Sequence, residues 1–301
     1  MAAVRRGVWA AIASNVLFAA LFLYSSWMQP MNGTEVFAWR MVAMLLGLMV
    51  LMSAMGMWAE LLGFVRQMGR DRARWCWVML PTPILASQLW LFMWAPVNGE
   101  GVNVAMGYFL FPLAMLLGGW LWFKEHLSGW QRLAVGLAVA GVAYELWRTA
   151  AFSWTTLWVC GTYPVYYLLR RALKVPVLVG LFLDLLLIAP VMLVWLLWQS
   201  DSFALLVQQP MLLGLVVLLG INSTLAMFLN LWASQKLPVS LFGMLSYLEP
   251  ILLFVVSLWV LREPLEEGEW VGYGLIWLGL CVMALEGVLL WYRHRHKPVL
   301  W

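Results

Sequence analysis

Four ionisable side chains lie inside long apolar stretches of this sequence, and they are its foremost candidates for chemistry. They are Arg40, Asp184, Glu249 and Glu286. A charge placed in the middle of a lipid bilayer costs about 3 kcal/mol, so such residues are functional candidates by default. Glu249 leads because Pro250 follows it directly. A proline within a helix frees a backbone carbonyl, and a carboxylate at such a break can bind a cationic group or load a proton.

Each charged candidate also has a structural interpretation, which the sequence leaves open. Glu249 is either functional or a buried carboxyl that is neutral or ion-paired. Arg40 holds a substrate carboxylate, pairs with Glu35, or extends to the outer headgroups. Asp184 precedes Pro190 by six residues, and it is either functional or a polar lock between two helices.

Polar and aromatic residues recur in alternate apolar stretches, which favours a hydrated cavity with aromatic walls. Taken singly, each polar side chain is typical of a hydrogen bond between helices. Beside Arg40, Asp184 and Glu249, the predicted substrate-binding residues are Asn15, Gln88, Trp90, Trp94, Tyr108, Tyr163, Asn230 and Tyr247. Pro112 and Pro250 are predicted hinges, because an internal proline kinks a helix.

Motifs for other chemistry are missing from the sequence. It contains no phosphate-binding loop, nucleophile elbow, zinc-protease motif or kinase motif. Cys76, Cys160 and Cys281 fall inside apolar stretches and lack the spacing of metal ligands. We therefore predict that the protein is not an enzyme, holds no metal and needs no cofactor, with proton coupling left open.

The composition indicates which elements must position these residues. Of 301 residues, 64% are hydrophobic and 11% are charged, against about 25% charged in a soluble domain. A chain this apolar has lipid as its solvent. The basic residues cluster at the ends of apolar stretches, which argues against nucleic-acid binding. The expected partners are a small-molecule substrate and the lipid bilayer, and a homodimer is left open.

Apolar stretches bounded by charges and turn residues predict ten transmembrane helices in an all-α fold. The predicted spans are residues 7–27, 36–57, 75–96, 102–123, 130–147, 151–169, 176–198, 210–233, 239–261 and 270–291. If the N-terminus is cytoplasmic, fifteen of the 18 Lys and Arg residues fall on the cytoplasmic side, among them Arg66, Arg70, Arg72, Arg74 and Arg170. Because cytoplasmic loops carry the basic excess, we predict that both termini are cytoplasmic and that the protein lies in a bacterial inner membrane.

The sequence contains an internal repeat. A shift of 138 residues aligns 91–141 with 229–279 and gives eleven identities in 51 positions. The identities include Pro112 with Pro250, Glu125 with Glu263, Gly136 with Gly274 and Gly141 with Gly279, and Lys124 meets the similar Arg262. We predict two five-helix halves, residues 1–147 and 148–301. Because five is odd, the second half enters the membrane inverted, which is typical of transporters that work by alternating access.

The fourth predicted span carries residues that resemble a known family. Gly107-Tyr108-Phe109-Leu110-Phe111-Pro112-Leu113, followed by Lys124-Glu125, resembles the drug/metabolite transporter superfamily, and more closely the RarD branch of its EamA-type members. Trp90-Leu91-Phe92-Met93-Trp94-Ala95 and the stretch from Glu35 to Arg40 also resemble that branch. Asp184 stands where the branch tends to carry a Glu, and Leu248-Glu249-Pro250 is similar to the Leu-Glu-Pro of the wider EamA family.

The resemblance implies two inverted five-helix repeats around a central cavity, and secondary transport. Members of the superfamily mostly export amino acids, metabolites or drugs, some import nucleotides or cofactors, and the RarD branch is named for chloramphenicol. Glu249, Asp184 and Asn230 depart from the branch and favour a zwitterionic cargo, such as an amino-acid derivative or an opine-type metallophore. We predict an exporter of such a metabolite. Chloramphenicol-like drug efflux, a metabolite uptake permease, a membrane enzyme acting on lipid-linked substrates and a non-transporting assembly protein are the alternatives.

Overall fold

The apolar stretches fold into helices in the computed structural model, which describes residues 2–124, 126–149, 153–237, 242, 245–265 and 268–295. The helices are α1 (Ala2–Trp27), α2 (Gly33–Met55), α3 (Trp58–Met68), α4 (Arg72–Met79), α5 (Thr82–Trp94), α6 (Gly101–Phe123), α7 (Gly129–Thr149), α8 (Trp154–Ala172), α9 (Val177–Gln199), α10 (Ser202–Gln208), α11 (Pro210–Lys236), α12 (Leu248–Val255) and α13 (Glu269–Arg295). A 3₁₀ turn, Ala95–Val97, follows α5, and a π-helical turn, Val256–Val260, follows α12. These described residues contain no strand.

Helices lie where the sequence predicts membrane spans. Among the described residues, seven helical stretches are long and apolar enough to cross a membrane, and they correspond to predicted spans one to four, seven, eight and ten. One of them, Arg72–Val97, comprises α4, α5 and the 3₁₀ turn. The sixth and ninth predicted spans begin at residues 151 and 239, which lie outside the described residues. The structure therefore supports an all-helical membrane protein, and the count of ten spans stays a prediction.

The third predicted span, residues 75–96, is two helices rather than one. α4 ends at Met79 and α5 begins at Thr82. Pro81 and Pro83 lie at the break. Because proline has no N–H, backbone bonds that would join α4 to α5 cannot form there. The short helices α3 and α10 lie between predicted spans and are absent from the sequence prediction, since neither is long enough to span a bilayer.

The chain forms two compact units. Unit 1 comprises Met1–Ala19, Gly101–Pro164 and Met227–Trp301, and unit 2 comprises Ala20–Glu100 and Val165–Ala226. Each unit takes segments from both predicted sequence halves, so the units are distinct from those halves. Within unit 2, α2 packs against α5 and α9 and buries Met41, Met44 and Met52 at helical spacing.

Within unit 1, α7 and α13 make contacts that follow the 138-residue repeat. A Cβ added to Gly141 would lie 2.7 Å from the carbonyl oxygen of Gly272, and one added to Gly279 would lie 2.8 Å from that of Ala134. Gly141 and Gly279 are 138 residues apart, as are Ala134 and Gly272. The two contacts are therefore equivalent under the repeat. Gly141 of α7 faces Gly272 of α13, whereas the earlier Ala134 of α7 faces the later Gly279 of α13. The two helices are therefore antiparallel.

The close approach predicts opposite effects for two glycines of α13. Gly279→Ala should destabilise the protein by about 1 kcal/mol or more, because the new methyl group must displace a backbone carbonyl. Gly274→Ala is the matched control, since its Cβ would meet nothing within 4 Å. The control should gain up to about 1 kcal/mol from helix propensity. Thermal unfolding in detergent measures both, and equal midpoints would contradict the close packing.

Candidate functional site

The eleven predicted substrate-binding residues fall into two sets, one in each unit. Unit 2 holds Arg40, Gln88, Trp90, Trp94 and Asp184. Unit 1 holds Asn15, Tyr108, Tyr163, Asn230, Tyr247 and Glu249, together with the predicted hinges Pro112 and Pro250. Each unit therefore carries charged, polar and aromatic candidates of its own.

Arg40 is buried inside unit 2, two turns into α2. A capping box fixes the start of this helix: Asn32 Oδ1 accepts from the Glu35 N–H, and a Glu35 carboxylate oxygen accepts from the Asn32 N–H at 2.9 Å. Arg40 is 3% exposed, its Nε donates to Ser223 Oγ at 3.2 Å, and its Cζ lies 5.3 Å from the centre of the Phe92 ring. The guanidinium is thus held within the unit rather than extended to an exposed surface.

Two tryptophans of α5 form an aromatic surface near the start of α2. The rings of Trp90 and Trp94 are stacked with their centres 5.3 Å apart. Trp90 Nε1 donates to Thr34 Oγ1 at 2.9 Å, which joins α5 to the first turn of α2. Gly33 permits this approach, since a Cβ there would lie 2.7 Å from a backbone carbonyl oxygen of α5. Gln88, earlier on α5, is 1% exposed.

Asp184 lies fully buried in α9 and is bound by three side chains. Thr82 Oγ1 donates to one carboxylate oxygen at 2.5 Å, and the Tyr166 hydroxyl donates to the other at 2.9 Å. Arg170 forms an ion pair with the same carboxylate. These contacts join α5, α8 and α9. Of the two interpretations of Asp184, they favour the polar lock between helices.

Arg170 shows a role that the sequence prediction does not contain. The sequence places it only among the basic residues of the cytoplasmic side, and the structure shows it in the last turn of α8 and 8% exposed. Its Nη1 donates to the carbonyl oxygen of Val78 at 2.8 Å, close to the end of α4. In an unbroken helix that carbonyl would accept the N–H of Thr82. Arg170 therefore supplies a hydrogen bond that the break between α4 and α5 removes.

The side-chain amide of Asn15 in unit 1 has a hydrogen-bonded N–H group and an oxygen that can accept a further hydrogen bond. The residue is 1% exposed, and its Nδ2 donates to the carbonyl oxygen of Leu245 at 2.9 Å. Its Oδ1 is buried and has no hydrogen-bond partner among the described residues. An amide oxygen in this setting can accept a hydrogen bond from an N–H or O–H group of a bound molecule.

Aromatic residues of unit 1 join α6 to α8. The rings of Tyr108 and Tyr163 meet edge to face with their centres 6.0 Å apart, and Phe111 lies 5.2 Å from Tyr163. Pro112 lies inside α6, as its predicted role as a hinge requires. Asn230 is half-buried on α11. The aromatic set thus lies on the part of α6 that precedes Pro112.

Glu249 lies in the first turn of α12 and is half-buried. The predicted break is therefore displaced: the turn falls at Tyr247, and Pro250 lies just inside the helix that follows. Proline is tolerated in a first turn, because an N–H there would have no partner. The positive end of the helix dipole favours a carboxylate at this position. The Tyr247 hydroxyl donates to Met283 Sδ at 3.4 Å and ties the turn to α13.

Glu263 links the helices that carry Tyr108 and Glu249. Its two carboxylate oxygens accept the backbone N–H groups of Gly101 and Val102 at 2.9 and 2.7 Å. These donors lie at the start of α6, and Glu263 follows the π-helical turn after α12. The sequence shows Glu263 only as the repeat partner of Glu125, which lies outside the described residues. The identity of the pair is the one signal that it has a structural role.

Comparison with known proteins decides the family. Residues 146–285 match the EamA-like transporter family. A Haemophilus influenzae protein named as an uncharacterized transporter is 47% identical to this chain, covering 96% of it and 97% of the relative. The chloramphenicol-sensitive protein RarD of Pseudomonas aeruginosa is 35% identical and covers 98% of both chains. This chain belongs to the EamA-like transporter family.

Further relatives place this EamA protein in the RarD branch. Protein RarD of Escherichia coli is 24% identical, covering 94% of this chain and 95% of the relative. A solved crystal structure with 18% identity matches the fold with a TM-score of 0.57, covering 94% of this chain and 98% of that one. The resemblance found in the sequence is confirmed.

Family and structure together settle the general class. This EamA protein is a transporter rather than an enzyme, and a multi-pass protein of the bacterial inner membrane. Its described residues contain no group of three or more His, Cys, Asp or Glu that could hold a metal ion.

The buried ion pair predicts unequal effects for two arginines of unit 2. Arg170→Gln should lower the free energy of unfolding by about 3–5 kcal/mol, because it leaves the Asp184 carboxylate buried without its cation. Arg74→Gln is the matched control, since Arg74 pairs with Asp71 where their side chains are 65% and 44% exposed. The control should lose no more than about 1 kcal/mol. Denaturant titration in detergent micelles measures both losses. Similar losses in the two variants would show that the Asp184 network contributes little.

Proposed function

We propose that this EamA protein is a secondary transporter that exports a small zwitterionic metabolite by alternating access. The proposed cargo is an amino-acid derivative, for which an opine-type metallophore is one example. The observation that carries the proposal is the burial of the Arg40 guanidinium between Ser223 and the Phe92 ring. A buried ionisable group within a membrane helix is a candidate for a substrate or ion pathway.

Arg40 has the geometry to hold an anionic group of the cargo. A guanidinium carries five N–H donors in a planar fork, so it can keep its bond to Ser223 and still bind a carboxylate with two parallel bonds. The Phe92 ring adds a cation–π contact and fixes the plane of the fork. The aromatic surface of Trp90 and Trp94 on the same helix suits the carbon skeleton of a small metabolite.

Unit 1 carries a second candidate for the mechanism. Glu249 can accept a cation, or it can load the proton that drives transport. Its position in the first turn of α12 favours the charged carboxylate, because the positive end of the helix dipole lies there. The buried Oδ1 of Asn15 is an acceptor for an N–H group.

Alternating access requires two related halves, and the chain supports this in three ways. The 138-residue repeat, together with the ten predicted spans, predicts two inverted halves, and the basic residues predict that both termini are cytoplasmic. The contacts between α7 and α13 obey the same register. Lys124 and Arg262, which the register also pairs, have the same left-handed backbone, with φ of 56° and 57°. Equivalent residues thus share an unusual conformation.

Drug efflux is the second candidate, and one relative favours it. The Pseudomonas aeruginosa protein is named chloramphenicol-sensitive protein RarD and covers 98% of this chain. The test of this alternative is growth of a deletion strain and a complemented strain in chloramphenicol. A change in resistance without any change in metabolite release would favour the drug over the zwitterion.

The role of Glu249 predicts a specific loss of export. Glu249→Gln should abolish release of the cargo, because an amide neither carries the charge nor loads a proton. Mass spectrometry of cell interiors and culture supernatants would compare deletion, complemented and variant strains. Glu60→Gln, an exposed carboxylate of α3, is the matched control and should export normally. Normal release by the Glu249→Gln strain, at equal expression, would remove Glu249 from the mechanism.

The role of Arg40 predicts a change in substrate discrimination. Uptake into inverted membrane vesicles should favour the free carboxylate of the cargo over its methyl ester at least about tenfold, the value of one charged hydrogen-bonded contact. Arg40→Lys should erase most of this preference, because an ammonium cannot make the planar bidentate pair. Arg66→Lys, exposed on α3, should leave it intact. An unchanged preference in Arg40→Lys would place the carboxylate elsewhere.

A further inference from the structure

The segment from Gly56 to Trp75 has features that transport alone does not explain. It contains α3, which is too short to span a bilayer. Gly56 and Gly69 flank this helix, with φ of 66° and 59°. Both values lie in the left-handed region, so the chain turns at each end of α3. The helix is therefore a separate element rather than an extension of α2 or α4. We call residues 56–75 the connector segment.

The apolar side of α3 is wider than the surface that unit 2 covers. At 3.6 residues per turn, its apolar side chains occupy roughly 160° of the helix. Leu61 is buried, and Trp58 meets the ring of Phe182 on α9 edge to face at 5.5 Å. Leu62 and Val65, on the same apolar side, are 52% and 36% exposed. An amphipathic helix with an uncovered apolar edge suits the boundary between headgroups and acyl chains.

The connector segment carries a concentrated positive charge. Its four arginines, Arg66, Arg70, Arg72 and Arg74, are all exposed. Its two carboxylates are Glu60 and Asp71, and the Asp71 carboxylate bonds to Arg74 at 3.0 Å and caps the start of α4. Arg66 lies beside Leu62 on the helix surface, at the border between its apolar and polar sides.

Two indole rings anchor the ends of α3. Trp58 Nε1 donates to Ser53 Oγ at 2.9 Å, and Trp75 Nε1 donates to the Gly69 carbonyl oxygen at 3.1 Å. Tryptophan is enriched at membrane–water interfaces, where its ring contacts apolar chains and its N–H meets a polar group. The anchors hold the four arginines and the apolar edge of α3 together in one region.

We propose that the connector segment binds anionic phospholipid headgroups, with Leu62 and Val65 inserted among the acyl chains. The occupant follows from charge: exposed guanidinium groups form paired hydrogen bonds with phosphate, and an apolar edge next to them matches a lipid better than a free anion. The choice of the inner leaflet rests on the proposed topology, whereas the lipid binding does not. Clusters of basic residues at this position next to a membrane helix bind anionic lipids.

The test measures how lipid stabilises the purified full-length protein in detergent. A ligand that binds only the folded state raises the apparent unfolding temperature. Phosphatidylglycerol should raise it, and phosphatidylcholine at equal concentration should not. The variant with Arg66, Arg70, Arg72 and Arg74 all changed to Gln should lose most of this shift. The control variant changes the exposed Arg5, Arg6, Arg132 and Arg171 to Gln, which removes the same charge from α1, α7 and α8.

Each outcome decides the proposal. Loss of the shift in the connector variant, with the shift kept in the control, supports it. Equal shifts in wild type and connector variant overturn it, and so do equal losses in the two variants, because net charge alone would then explain binding. No shift with either lipid also overturns it and favours an acidic protein as the partner. Leu62→Ser with Val65→Ser should weaken the shift while all arginines remain. Because no step measures transport, failure here leaves the proposed export untouched, and the reverse also holds.

Discussion

The ends of helices are costly points wherever they are buried, because their unpaired backbone groups cannot then reach water. In this EamA protein, polar side chains from distant parts of the chain form hydrogen bonds with backbone groups at three helix ends. Arg170 bonds to the Val78 carbonyl at the end of α4, and Glu263 accepts two N–H groups at the start of α6. The Ser25 hydroxyl bonds to the Met93 carbonyl near the end of α5. The positions of Arg170, Glu263 and Ser25 follow from this one requirement.

This requirement also explains the buried ion pair of unit 2. Arg170 and Asp184 neutralise each other, and their remaining bonds go to a broken helix and to Thr82 and Tyr166. Arg40 contacts a hydroxyl and an aromatic ring. On the proposed function, its guanidinium also binds the anionic group of the cargo.

The sequence predicts the positions of the helices well, because each long apolar stretch must become a helix in lipid. It predicts the breaks poorly. Pro81 and Pro83 were present within the third predicted span, yet whether a proline kinks or divides a helix depends on what can satisfy the freed groups. The partner here, Arg170, is 92 residues from Val78, and nothing in the local pattern around Arg170-Arg171 distinguishes it from a loop residue. The cap formed by Glu263 is 162 residues from Gly101. The sequence could therefore identify candidate residues but not separate structural from binding roles.

The repeat explains why the glycines of α7 and α13 occur in two equivalent pairs, one in open space and one at a helix contact. Gly136 and Gly274 have open space around them, whereas Gly141 and Gly279 each face a backbone carbonyl of the opposite helix. The predicted inverted repeat makes the α7–α13 contact antiparallel and self-complementary. The same residue type, glycine, is therefore needed where each helix meets a carbonyl of the other. On the proposed mechanism this equivalence has a consequence for function. A contact that is equivalent at both ends favours neither of two arrangements related by the pseudo-two-fold axis of the repeat, and a transporter that opens to opposite sides in turn requires such a balance.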